Sequence, residues 1–162
     1  HLLKNCKQII CTDADISDTG LMFMEKNKIC KKFKYYNNKF NHNKNVVAQE
    51  FTDYDDMVDR MHKTEKWLCA TDSYENALAL AKEFPDAILI TKDTKRLPDF
   101  DKHPRIIYSP KVTYGIDSIM EREVFVCYHE RTITPTEMYQ QLSRCRNIIR
   151  LIKHVSVSNL YI

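Results

Sequence analysis

Strand-length apolar runs alternate along this chain with segments of helical spacing, and that alternation limits the folds open to it. Residues 7–12 (KQIICT) read as a buried strand, followed by a helix over residues 17–28. Strands are expected at 32–36 and 45–51, and 54–64 carries helical spacing through Met57, Val58 and Met61. Residues 67–70 read as a strand. The Ala- and Leu-rich stretch 73–84 reads as a helix that stops at Pro85. Residues 87–91 (AILIT), 105–108 and 124–128 are further apolar runs of strand length.

Strands that alternate with helices imply βαβ units, hence a largely parallel sheet with helices on both faces. The fold class is α/β, an open sheet of the RecA-like or a similar kind. A length of 162 residues suits one domain, and 43% hydrophobic with 29% charged residues supports a packed core. No repeat or low-complexity linker divides it. The chain is therefore read as a single domain over 1–162; because it begins at His1, it is expected to be a fragment of a longer protein.

Composition then narrows the chemistry. There are only two glycines, Gly20 and Gly115, far apart. A phosphate loop needs G-x-x-x-x-G-K-[ST] and a dinucleotide fingerprint needs three glycines, so this chain cannot cradle a triphosphate by itself. A net charge of +3 is too weak on its own to argue for nucleic acid. No apolar run approaches the ~20 residues of a membrane span, so no membrane partner is expected, and no signal-peptide pattern precedes the first strand. The six cysteines (Cys6, Cys11, Cys30, Cys69, Cys127, Cys145) form no C-x-x-C pair, and Cys11, Cys69 and Cys127 lie in strand-like runs. They read as reduced, buried thiols in a reducing intracellular compartment. The histidines at 42, 62, 103, 129 and 154 show no ligand spacing.

The clearest local signal begins at Thr134. Thr134 can cap a helix, Pro135 suits its first position, and Glu137 completes a capping box. Met138, Leu142 and Cys145 recur at core spacing, while Gln140 and Arg144 share the other face and point away from the core. The helix is expected to end near Arg146. The β-branched run from Ile148 to Ile152 could continue it or begin a strand, and the strand is the favoured reading.

Polar clusters follow several strands: Asp13 and Asp15; Thr71-Asp72-Ser73; Thr91-Lys92; and Ser109 through Ser118, which contains Thr113, Gly115 and Asp117. Ligands of open α/β sheets collect at the carboxyl ends of strands. The series, followed by Gln140-x-x-x-Arg144-x-Arg146, resembles the second RecA-like lobe of superfamily 2 helicases. More narrowly it looks like the helicases related to herpesvirus origin-binding protein, including primase–helicases of large DNA viruses. The resemblance covers most of the chain. Residues 67–84 are similar to motif IV with its helix, Tyr108-Ser109-Pro110 through Gly115-Ile116-Asp117 to motif V, and Gln140-Gln141-Leu142-Ser143-Arg144-Cys145-Arg146 to motif VI. The stretch Cys11-Thr12-Asp13-Ala14-Asp15 looks like the aspartate-bearing strand that opens this lobe.

What the resemblance implies is a motor lobe of an ATP-dependent DNA helicase in viral replication. Arg144 and Arg146 would be arginine-finger candidates, with Gln140 near the nucleotide. Asp117 would contact the ribose, and Gly115 would let backbone come close. Ser73, Thr91, Ser109 and Thr113 would touch the nucleic-acid backbone. ATP and Mg²⁺ would be held mainly by a first, N-terminal RecA-like lobe of the same polypeptide; single-stranded or duplex DNA and a fused primase domain are the other expected partners. The compartment would be the host cytoplasm or nucleus at viral replication sites. The motif departs from the family at two places: Ser143 replaces a glycine, and Asn147 stands where the second arginine is usual, with Arg146 one position earlier. Both arginines stay open as the finger.

Two readings from other classes stand beside this one. Between residues 26 and 49 there are lysines at 26, 28, 31, 32, 34, 39 and 44 and no acidic residue, with Phe33, Tyr35, Tyr36 and Phe40 interleaved. Such a stretch suits single-strand binding, with Lys31, Lys32 and Lys34 as candidate contacts, in a module that needs no ATPase. It equally suits an edge hairpin whose lysines deter aggregation. Asp13 and Asp15 could instead serve a metal-dependent nuclease or nucleotidyl-transfer domain. No third carboxylate at a matching strand end completes that site, so no metal ligand is assigned. The glycine count carries an expected outcome: the chain alone folds but hydrolyses no ATP above background in a phosphate-release assay, and robust DNA-stimulated turnover by it would sink the two-lobe reading.

Overall fold

The computed structural model describes residues 18–29, 34, 36, 44–110, 117–128 and 133–155. The chain divides into two compact units, His1–Phe40 and Asn41–Ile162. In the first, helix α1 spans Asp18–Lys26. It closes with paired turn bonds: the Lys28 N–H donates to Glu25 O (3.0 Å) and the Ile29 N–H to Met24 O (3.1 Å). Lys28 holds the left-handed conformation that this termination requires, at φ 50°. Lys34 and Tyr36 lie in no strand. The other positions of the strand expected at 32–36, and the whole strand expected at 7–12, lie outside the described residues.

The second unit contains a six-stranded sheet. Its elements are β1 (Ala48–Glu50), α2 (Tyr54–His62), β2 (Trp67–Thr71), α3 (Tyr74–Glu83), β3 (Ile88–Ile90), a 3-10 turn (Phe100–Lys102), β4 (Arg105–Tyr108), β5 (Arg122–Tyr128), α4 (Pro135–Leu142) and β6 (Ile148–Val155). The strand order is β1-β6-β5-β2-β4-β3. Every pairing is parallel. This is the α/β parallel sheet expected from the alternation, and it is consistent with a RecA-like fold.

Helices cover both faces because the strands are apolar on both. All five residues of β2 are buried. Successive side chains of a strand point to opposite faces, so Trp67 and Cys69 enter one core layer and Leu68 and Ala70 the other. The first layer is closed by Met57 and Met61 of α2, Ala77 and Leu80 of α3, and Phe84. Trp67 meets Phe84 and Phe125 edge-on, with ring centroids 5.1 and 6.3 Å apart. Met138 and Leu142 of α4, with Phe100 from the 3-10 turn, close the second.

Local sequence explains the helix starts. Asp53 caps α2 by accepting from the Asp55 N–H, and Ser73 caps α3 by accepting from the Asn76 N–H. Thr134 and Glu137 form the reciprocal capping box of α4. Cys69, Cys127 and Cys145 are free and buried. Burial pushes the Cys127 thiol up to about 12 and the Cys145 thiol up to about 11. Both stay protonated at neutral pH and are poor nucleophiles. Among the described residues no helix is long and apolar enough to cross a membrane. Leu80 is wholly buried between α3 and the sheet; Leu80→Ala is expected to lower unfolding stability by about 2–5 kcal/mol in urea titration.

Candidate functional site

The helix that opens at Thr134 ends at Leu142, short of the expected Arg146. A non-local ladder ends it. Ser118 and Cys145 form an isolated parallel bridge, in which the Ser118 N–H donates to Arg144 O (2.7 Å) and the Arg146 N–H to Ser118 O (2.8 Å). These bonds draw residues 144–146 into extended pairing before another helical turn can form.

The relation among the candidate residues changes accordingly. Arg144 is not on a helical face with Gln140; it lies in the turn that follows. Gln140 does not point outward: it is buried, and its Oε1 has no hydrogen-bond partner among the described residues. The two arginines are instead related by the two-residue period of extended chain. Cys145 between them packs into the second core layer, and its neighbours turn away from that layer together.

There they meet Asp117. Arg146 Nη2 lies 2.8 Å from Asp117 Oδ2, and Arg144 Nη1 lies 3.5 Å from Asp117 Oδ1. Arg144 also donates from Nε to Gln140 O (2.9 Å), one of the last-turn carbonyls of α4, where a cation complements the helix dipole. The Arg144 side chain is 14% exposed, that of Arg146 43% and that of Asp117 46%. Among the described residues the group brings two guanidinium groups to one carboxylate, with Arg146 the more exposed of the two.

The remaining candidates sit elsewhere. Ser73, Thr91 and Ser109 follow β2, β3 and β4, which are neighbours in the sheet. The Ser109 N–H donates to Ile90 O (2.9 Å). The Ser73 hydroxyl caps α3, and the Thr91 hydroxyl accepts from the Asp93 N–H at 3.3 Å. Thr91 and Ser109 are buried. Asp117 and Ser118 belong to the segment leading into β5, not to the end of β4. Lys34 is exposed. Gly115, Thr113, Lys31, Lys32, Asp13 and Asp15 lie outside the described residues. Among the described residues no three His, Cys, Asp or Glu side chains are grouped to hold a metal.

Two features escaped the sequence reading. Gln141, fully buried, ties α4 to the sheet. The Tyr108 hydroxyl donates to Gln141 O (2.9 Å), the Tyr128 hydroxyl donates to Gln141 Oε1 (3.1 Å), and Gln141 Nε2 donates to Ser109 O (3.4 Å). Asp101, on the 3-10 turn, accepts from the Ser118 hydroxyl at 2.7 Å. That bond, ahead of those from the Met120 and Ile119 amides and the nearby Arg122 charge, holds the Asp101 carboxyl below its ordinary range despite an opposing desolvation cost. The partners in both cases are far apart in sequence, and no local pattern marks them. No family model, curated protein or solved structure matches this chain.

The Asp117 ion pairs are exposed and belong to the class worth roughly 0–1 kcal/mol. Asp117→Asn is therefore expected to change unfolding stability by less than about 1 kcal/mol in urea titration; a drop of more than about 2 kcal/mol would make Asp117 a structural residue.

Proposed function

We propose that this chain is the C-terminal motor lobe of an ATP-dependent DNA helicase used in viral DNA replication. The observation that carries the reading is the convergence of Asp117, Arg144 and Arg146 on one ion-paired group. The three residues come from the two segments that resemble motifs V and VI, and they lie far apart in sequence. The glycine count adds a second support, because a lobe that cannot cradle a triphosphate needs a partner that can.

In this reading ATP is the substrate, held with Mg²⁺ by a first lobe of the same polypeptide. Arg146, the more exposed guanidinium, reaches the γ-phosphate when the lobes close and neutralises the charge that develops as the phosphoryl group leaves. Arg144, bonded to the end of α4 and to Asp117, fixes the angle at which Arg146 is presented. Asp117 holds both guanidinium groups between turnovers and is free to meet the ribose when the phosphate replaces it. Ser73, Thr91 and Ser109 contact the DNA backbone, and cycles of closing and opening move the strand.

The test uses a polypeptide that carries both lobes. Arg146→Ala is expected to lower ATP turnover on the order of 10³-fold, with Arg144→Ala lowering it as well. Binding of a fluorescent single strand should change by less than about twofold in either variant, because the loss falls on the transition state. Near-normal turnover in both variants would replace this reading with the nucleic-acid-binding module.

A further inference from the structure

The two arginines owe their position to a segment they do not belong to. Ser118 is bonded on one side to Arg144 O and on the other by the Arg146 N–H, so wherever residues 118–120 go, the pair follows. Among the described residues that segment has one acidic anchor. Asp101 Oδ1 accepts from the Ser118 hydroxyl (2.7 Å), the Ile119 N–H (3.2 Å) and the Met120 N–H (3.1 Å). The turn carrying Asp101 is itself fixed from below. The guanidinium of Arg122, wholly buried, donates to Phe100 O (2.5 Å), His103 O (2.6 Å) and Pro104 O (2.7 Å). Arg122 thus holds the turn, the turn holds Asp101, and Asp101 holds the backbone that sets both arginines.

We propose that Asp101 is a positioning residue for the Arg144–Arg146 pair, acting through Ser118. Its consequence for turnover rests on the motor-lobe reading above; its consequence for the pair does not. One carboxylate thus gathers three hydrogen bonds from a segment that is paired with Cys145, itself buried in the second core layer. They fix a loop to the tolerance that a charge-stabilising arginine demands.

Two substitutions test this in the full chain. Asp101→Asn keeps the size but removes the charge, and Ser118→Ala removes one bond and leaves the backbone ladder. The Arg122 anchor is intact in both. By NMR, solvent exchange of the Arg144 and Arg146 Nε–H groups is expected to speed up about 10-fold in Asp101→Asn and less in Ser118→Ala. Amide protection in β2 and β5 should be unchanged, which a merely structural role would not spare. In the two-lobe polypeptide, kcat for ATP should fall about 10-fold in Asp101→Asn, with KM within about twofold. Unchanged guanidinium exchange overturns the proposal. So does loss of core amide protection alongside it, because Asp101 would then hold the fold rather than the pair. Faster exchange with turnover indifferent to Asp101 and to both arginines upholds the positioning and removes the motor reading.

Discussion

The burial of β2 on both faces is the constraint from which the rest of this structure follows. A strand with five buried residues must stand inside a sheet, with apolar layers above and below it. That places β5 and β4 at its sides and requires helices on either face. Met57, Met61 and Leu80 answer on one side, and Met138, Leu142 and Phe100 on the other. Both layers also absorb residues that end an element: Phe84 after α3, and Cys145 after α4. The position of Cys145 in that layer decides where the charged residues beside it can go.

Two networks satisfy most of the buried polar groups near the site. Tyr108 and Tyr128 both donate to Gln141, which in turn donates to Ser109 O just past β4. Arg122 donates from its terminal nitrogens to three backbone carbonyls, those of Phe100, His103 and Pro104. Such networks cost much if broken and fix geometry when complete. The ion pairs of Asp117 are of the other kind. They are half exposed and contribute little to stability. A rigid interior thus supports a surface group whose pairing can be exchanged.

Much of the fold was legible because the decisive signals were local. The helices at Tyr54, Tyr74 and Pro135 begin at Asp53, Ser73 and Thr134, each a side chain able to cap its own helix. The strands at Trp67, Arg105 and Arg122 are continuous apolar runs or close to it. What was misread depended on distant partners. Helical spacing put Arg144 on the outer face of α4 beside Gln140, but Ser118, far back in the chain, pairs with Cys145 and ends the helix early. The arginines do share a side, for the reason of strand alternation rather than helical pitch. Asp101 was invisible for the same cause: its three donors lie at 118–120, and nothing near Asp101 marks it as their acceptor.

The strand order has a consequence for how such a chain is made. Among the described residues β1 has one neighbour in the sheet, β6, and Ala48 pairs with Leu151. On a ribosome, residues 48–50 emerge about a hundred residues before β6, with which they pair. Until then β1 lacks its described partner, while β2, β3 and β4 can already associate around α3. Contacts so distant close slowly. β6 is therefore the strand that joins the two sides of the described sheet, slotting between β5 and a β1 made about a hundred residues earlier.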